Sequence, residues 1–425
     1  MNPTHNLHLK TVMCGMKILI LSDSYPVDGG AAQIARLMAQ GLKNRGHNVL
    51  VVASTQEKIS SGLKIIDGIE VYKIYTDYNL FWRAYRGLYN PPAIKEIKKI
   101  INNFKPDVVQ AHNIHSYLSY HALKIAKKSG AKVFLTAHDV QLFHYGKLVE
   151  FINPEDLTVP EKFNYKVSVL RQIKRYGKTY NPLRNIIIRY YLKYVDKIFA
   201  VSNALAEALT QNGITNVAVI HNGINTNEWQ SDKNDTEEFK KKYGLAEKKI
   251  ILFGGRLSET KGGKEIVLAM ERITKEVPDA RLMVMGEIDG YAKKMIDLAA
   301  GQGIQDKLIF TGWLTGDLLK SAFNACDIVT VPSVCFDSFP TINLEAMACH
   351  KPVIATCFGG SREAVLGGET GYIVNPYDIN NLASKIIYLL KNPSEALRFG
   401  ENGYERVKTE FSLDKMISNY LSFYE

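Results

Sequence analysis

The sequence predicts an α/β protein built from two doubly wound parallel-sheet domains that face each other across a cleft, and three observations carry this. Short apolar runs alternate with helical stretches along the chain, as parallel sheets require. That rhythm restarts at Lys249, after a polar, charged run from Gln230. Glycines, histidines and carboxylates recur just past the apolar runs, at the carboxyl edge where open parallel sheets bind ligands.

The chain has 425 residues, 46% of them hydrophobic, enough for two or three cores. Its five cysteines are odd in number and form no C-x-x-C pair, which argues against a disulfide framework and for a reducing cytosolic setting. No run approaches the ~18 apolar residues of a spanning helix, and the amino terminus lacks the apolar core of a signal peptide. The formal net charge is +10. Most of that excess lies between Glu161 and Lys197, where ten Lys and Arg face two acids. The remainder is nearly neutral, so the charge does not imply a nucleic-acid partner.

Residues 1–15 read as a polar tail and 16–220 as the first domain. Lys17–Leu21 (KILIL) is a buried strand, after which Asp28-Gly29-Gly30 turns into a helix carrying Ala31, Ala35 and Met38. These glycines suit a loop that approaches a phosphate, or a plain turn; the G-x-G-x-x-G dinucleotide pattern is absent. Strands are expected at 49–53, 70–75, 107–111, 132–136 and 196–202. The 107–111 strand delivers His112, and the 132–136 strand delivers His138-Asp139, to one sheet edge. There they could hold an acceptor hydroxyl or line the reaction centre, although a lone histidine is more often structural. Residues 141–192 interrupt the rhythm as an insertion. Its stretch LRNIIIRYYLKY (183–194) suits an interfacial helix on anionic lipid, or a helix packing its apolar side on the sheet with its cations in water.

The second domain spans 221–412, with the boundary near 215–228. After the strand 249–253 comes a glycine-rich loop, 254–263, in which Arg256 and Lys261 can bring two cations onto a diphosphate; the Walker A order is absent. The strand 281–285 ends in Gly286-Glu287, and 308–311 in Gly312-Trp313-Leu314. The stretch 331–356 reads as strand, loop, helix, strand. Pro340 suits a helix start, Asp337 sits just ahead of it, and Glu345 lies about one turn inside. Free N–H groups at that start attract phosphate, and the carboxylates can accept hydrogen bonds from sugar hydroxyls. Phosphate plus polyol suggests a nucleotide-sugar. The plainer alternatives are a helix cap for Asp337 and a solvated face for Glu345.

The spacing of Asp337 and Glu345, the sequence Glu345-Ala-Met-Ala and the cationic loop resemble the retaining family 4 glycosyltransferases (glycosyl transferases group 1) of the GT-B fold. Two departures stand out: Asp337 replaces a Glu, and Phe339-Pro340 replaces Phe-Gly. The resemblance implies that Gly29 and Gly30 approach the donor diphosphate and that Arg256 and Lys261 stabilise it as it departs. It further implies that Gly286, Trp313 and Leu314 frame the base and ribose, that Phe339, Thr341 and Ile342 line the donor site, and that Glu345 binds the ribose and Asp337 the sugar. The resemblance also implies that His112 belongs to the reaction centre, leaves His138 and Asp139 as acceptor-side candidates, and implies that the last helix, 413–424, crosses back to the first domain.

The implied reaction moves a sugar from a UDP- or GDP-sugar to a hydroxyl of a glycan or lipid-linked acceptor, in surface polysaccharide or glycoconjugate synthesis. No cofactor is implied, and the lack of a D-x-D pair suits protein cations in place of a metal. The protein is expected in the cytoplasm, peripheral on the inner membrane face through 161–197. Two alternatives stay open: a nucleotide-sugar epimerase of the same architecture, and a non-catalytic basic binding protein.

Overall fold

The computed structural model describes residues 15–26 and 29–425. The expected tail, apart from Gly15, and Asp28 of the first glycine turn lie outside the described residues. The first sheet comprises β1 (Lys17–Leu21), β2 (Asn48–Thr55), β3 (Gly62–Ile66), β4 (Ile69–Tyr75), β5 (Val108–Ala111), β6 (Lys132–Ala137), β7 (Lys197–Ala200) and β8 (Val217–Val219), in the order β3-β4-β2-β1-β5-β6-β7-β8. All neighbours are parallel except β3, which runs antiparallel to β4. The second sheet comprises β9 (Lys249–Phe253), β10 (Ala280–Val284), β11 (Leu308–Phe310), β12 (Ile328–Val331), β13 (Val353–Thr356) and β14 (Gly371–Val374). It is wholly parallel, in the order β11-β10-β9-β12-β13-β14.

The central strands read as continuous apolar runs because helices cover both sheet faces. Ile18, Leu19, Ile20 and Leu21 are wholly buried, as are Ile250, Ile251, Leu252 and Phe253. The helix Gly30–Asn44 packs through Ile34, Leu37, Met38 and Leu42, spaced as one helical face requires.

Two strands depart from expectation. The hairpin β3–β4 was not anticipated, although its turn is Asp67-Gly68, both at positive φ. Such a pair is a strong two-residue hairpin signal; the outward-facing Leu63 and Ile65 mark β3 as an edge. The strand β14, opened by Gly371, was not anticipated either. A Cβ there would lie 1.9 Å from the Val353 oxygen, so only glycine permits the pairing.

The chain crosses between domains twice, and the crossings run side by side. Ile224 N donates to Phe411 O (2.9 Å) and Leu413 N to Ile224 O (2.9 Å). The closing helix, Leu413–Tyr424, then returns to the first domain as expected. There Tyr424 Oη donates to Gln110 Oε1 (2.9 Å) and the Tyr420 and Thr136 hydroxyls share a 2.9 Å bond.

Candidate active site

The loops that follow β9 and β12 zip together at the carboxyl edge of the second sheet. Gly254 N donates to Thr330 O (2.7 Å) and Val334 N to Thr260 O (3.1 Å). A Cβ on Gly262 would fall 1.9 Å from the Pro332 oxygen, so the turn carrying Lys261 lies directly on the start of the 332–340 loop. The helix begins at Thr341 and runs to Ala348, with Pro340 in the N-cap position and, among the described residues, no side chain capping its first N–H groups. A Cβ on Gly30 would lie 3.6 Å from Thr341 Oγ1, so the first glycine loop faces that helix end from the opposite domain. Five sequence-derived donor residues thus share one cleft: Gly29, Gly30, Lys261, Asp337 and Thr341. Ile342 joins them, because its Cδ1 would touch a Cβ on Gly254 at 3.4 Å.

Asp337 is held from three sides. Its carboxylate accepts from Lys261 Nζ (2.5 Å) and Ser333 Oγ (2.8 Å), and its backbone pairs with Gly359. Burial pushes this carboxyl up, but the charges of Lys261 and Lys147, with the two hydrogen bonds, bring it below its ordinary value. Burial also works against the Lys261 ammonium, and Asp337 more than reverses that, leaving it above its ordinary value. The pair is therefore ionised, with the shorter acid held directly on the cation.

Glu345 behaves differently. Burial pushes it up to about 7, only partly offset by a hydrogen bond with the Thr341 side chain. A carboxyl poised there accepts hydrogen bonds from a diol once ionised. Arg256 is exposed and stacks over Trp313, itself 57% exposed, at 5.7 Å from the ring centroid. Gly286 ends the run after β10, and the next residue, Glu287, lies 3.4 Å from where a Cβ on Gly312 would sit. Leu314 is buried. Phe339 is buried too, packed between His221 (5.1 Å) and Phe411 (5.5 Å), so its side chain braces the domain junction rather than facing the cleft.

On the first domain, His112 and His138 come together. Their Nδ1 and Nε2 atoms are 2.8 Å apart and the rings stack. Burial drives His112 well below the imidazole range, with His138 adding to the effect. Burial also lowers His138 to about 4, against the charge of Asp139. Both rings are neutral at pH 7, and one donates to the other. His112 Nε2 is buried and has no hydrogen-bond partner among the described residues. Asp139 accepts from Gln141 N (2.8 Å), which turns the chain into the insertion.

The insertion holds what the sequence did not disclose. Its first half is a strap across both domains: Phe336 N donates to Leu148 O (2.9 Å), and Asn375 Nδ2 donates to Asp156 O and Thr158 O (2.7 Å each). Phe151 packs against Phe336 and Phe358, and Tyr165 against Phe336. The strap carries Lys147, a cation acting on Asp337 that no motif or periodicity in the sequence marks. Ser333 was also missed, as was Glu363, which accepts from His221, Asn203 and Ala204 across the junction. The expected interfacial helix divides: Arg184, Ile188 and Tyr191 are buried, whereas Ile186 and Tyr190 are exposed.

The Glycosyltransferase Family 4 model matches residues 28–228, and the Glycosyl transferases group 1 model matches 235–406, so the two lie end to end along most of the chain. N-acetyl-alpha-D-glucosaminyl L-malate synthase of Bacillus anthracis is 24% identical over 420 residues, covering 96% of this chain and 97% of the relative. A glycosyltransferase of Methanocaldococcus jannaschii is 25% identical, covering 96% and 98%. Sucrose-phosphate synthase of Thermosynechococcus elongatus superposes with a TM-score of 0.75 at 20% identity, over 96% and 98% of the two chains. Anabaena HepE in complex with UDP-glucose superposes at 0.69 and 19% identity, over 96% and 100%. Neither the epimerase nor the binding-protein alternative is favoured by these relatives. Both halves matched in turn, and two Rossmann-like sheets enclosing the cleft, make this chain a GT-B glycosyltransferase of family 4, the glycosyl transferases group 1.

Proposed function

We propose that the enzyme transfers a sugar from a UDP- or GDP-sugar to a hydroxyl of a glycan or lipid-linked acceptor, with retention of configuration and without a metal or cofactor. The carrying observation is the Lys261–Asp337 pair beside the open helix start at Thr341, faced by Gly29 and Gly30. Charge developing on the departing diphosphate meets Lys261, Arg256 and the backbone N–H groups of Thr341 and Ile342, which are fixed before the reaction and need little reorganisation. As the diphosphate draws Lys261, Asp337 is released to accept from the donor sugar. Glu345 holds the ribose, and neutral His112 offers Nε2 to the sugar or acceptor.

HepE was solved with UDP and UDP-glucose, which supports a nucleotide-sugar donor of this kind. The relatives' names place them in glycan and glycoside synthesis, and by analogy we place this enzyme in polysaccharide or glycoconjugate assembly on the cytoplasmic side of a membrane. Among the described residues no helix is long and apolar enough to cross a membrane.

The test is a panel of UDP- and GDP-sugars scored by thermal stabilisation, followed by NMR of the anomeric product. A stabilising donor whose product keeps its configuration in EDTA is expected. An inverted product, or turnover that survives both Arg256→Ala and Lys261→Ala at near wild-type rate, sinks the assignment.

A further inference from the structure

An aromatic face of the first domain lies outside the cleft. Asn79 opens a short 3-10 turn, Leu80–Trp82, by accepting from Phe81 N at 2.9 Å, and a brief helix, Arg83–Arg86, follows. Leu80 and Trp82 are each 52% exposed, and Phe81, Tyr85 and Tyr89 are exposed as well. The segment is clamped from beneath, so this exposure is not slack. Ala84 and Leu88 are buried, Arg83 donates to Tyr145 O (2.9 Å), and Gly87 is pressed against the His115 carbonyl.

The face continues from ring to ring. Tyr89 meets His121 at 4.9 Å, His121 meets Tyr191 at 5.5 Å, and Tyr191 meets Tyr190 at 5.4 Å. There the helix Arg184–Leu192 adds Ile186, 64% exposed, and Leu183 just before it. Cations border the apolar groups throughout: Arg86, Arg189, Lys193 and Lys128 are exposed, and Lys124 donates to Tyr190 Oη (2.9 Å). Of the acids near these elements, Asp77 lies at the flank and Asp196 is already held by Lys127 at 2.6 Å.

We propose that this face seats the first domain on an anionic phospholipid surface. Tryptophan and tyrosine settle at the headgroup boundary, while arginine and lysine reach the phosphates beside them. Protein contacts instead exclude charge from their centres, whereas here cations are threaded through the apolar groups on each element. The surface rests on the lipid-linked acceptor reading and deepens it, because it would bring such an acceptor to the same domain edge as His112. It also narrows the membrane contact within the basic insertion to the helix Arg184–Leu192 and adds to it the segment 79–89, which the charge count ignored.

The full chain is co-sedimented with phosphatidylcholine vesicles, with and without phosphatidylglycerol. Binding is expected only with the anionic lipid and weakens as salt rises. Phe81→Ser with Trp82→Ser lowers partition tenfold or more, and Arg189→Gln with Lys193→Gln lowers it about fivefold per cation removed. Thermal stabilisation by whichever of UDP and GDP stabilises the wild type stays unchanged in both variants, showing that the cleft is intact. Failure of the wild type to bind either vesicle, or wild-type partition by the Phe81/Trp82 variant, overturns the proposal. So does lipid-free self-association that the same variant abolishes, since the face would then be a protein contact. A chain that binds vesicles but transfers no sugar would sink the functional reading and leave this face standing; transfer without vesicle binding would do the reverse.

Discussion

At the scale of single residues, the two carboxylates Asp337 and Glu345 sit in opposite electrostatic states. Asp337 is ionised against Lys261, while Glu345 is pushed up to about 7 by burial. A carboxyl whose folded value lies above its unfolded one holds a proton in the native chain that the unfolded chain has already lost. Native stability therefore falls as pH climbs from about 4.5 to about 7, by up to about 3 kcal/mol from this group. Glu345→Gln should flatten that slope in pH-dependent urea melts while weakening binding of the proposed donor nucleotide, UDP or GDP. Lys261→Ala leaves Asp337 partly buried and unpaired, at a cost of about 3 kcal/mol. Adding Asp337→Asn should restore much of the stability but none of the turnover, and the double-mutant cycle separates these roles. Arg256 is exposed, so Arg256→Ala should leave the melt within about 0.5 kcal/mol of wild type while cutting turnover about a hundredfold. Burial holds His112 and His138 neutral, so no step in rate near pH 6.5 is expected from either ring.

At the scale of elements, the donor loop is held by neighbours distant in sequence. Gly359 has a φ of +109°, and a Cβ there would lie 2.1 Å from the Asp337 oxygen. Gly359→Ala should therefore displace the very backbone that presents Asp337. A loss of at least about 2 kcal/mol is expected, from strain and a broken bridge, with a parallel fall in kcat/KM. The strap makes a second prediction. Phe151→Ala removes the ring lying between Phe336 and Phe358, so calorimetry should show about 2 to 4 kcal/mol of destabilisation and kinetics a raised donor KM. The motif at 331–356 was readable because strand, proline, acid and helix follow one another locally. The strap was not, because its partners lie in another domain and its backbone hydrogen bonds leave no period in the sequence.

At the scale of the whole molecule, two sheets are tied by paired crossings and by a last helix that completes the first domain. Removing residues 413–425 strips Tyr420 and Tyr424 from Thr136 and Gln110. The truncated chain should lose its cooperative melt or aggregate, whereas Tyr420→Phe, which gives up one buried hydrogen bond, should cost only about 1 kcal/mol. Much of the architecture was legible in advance: fully buried parallel strands print apolar runs such as KILIL, and each loop at a carboxyl edge announces itself through glycine and charge. The hairpin at Asp67-Gly68 was legible too, yet passed unnoticed because β3 shows its apolar side chains to solvent.

By itself the sequence determined the two-domain parallel-sheet architecture, most of its strands and the loops at each carboxyl edge, since periodicity and turn chemistry are local properties. Only the tertiary structure decided that Lys261 claims Asp337, that the His112 and His138 rings share a hydrogen bond, that Phe339 turns inward, and that the insertion binds both domains. Those outcomes depend on distances between groups far apart in the chain, and on burial, which shifts a carboxyl or an imidazole only once the surrounding water has been displaced.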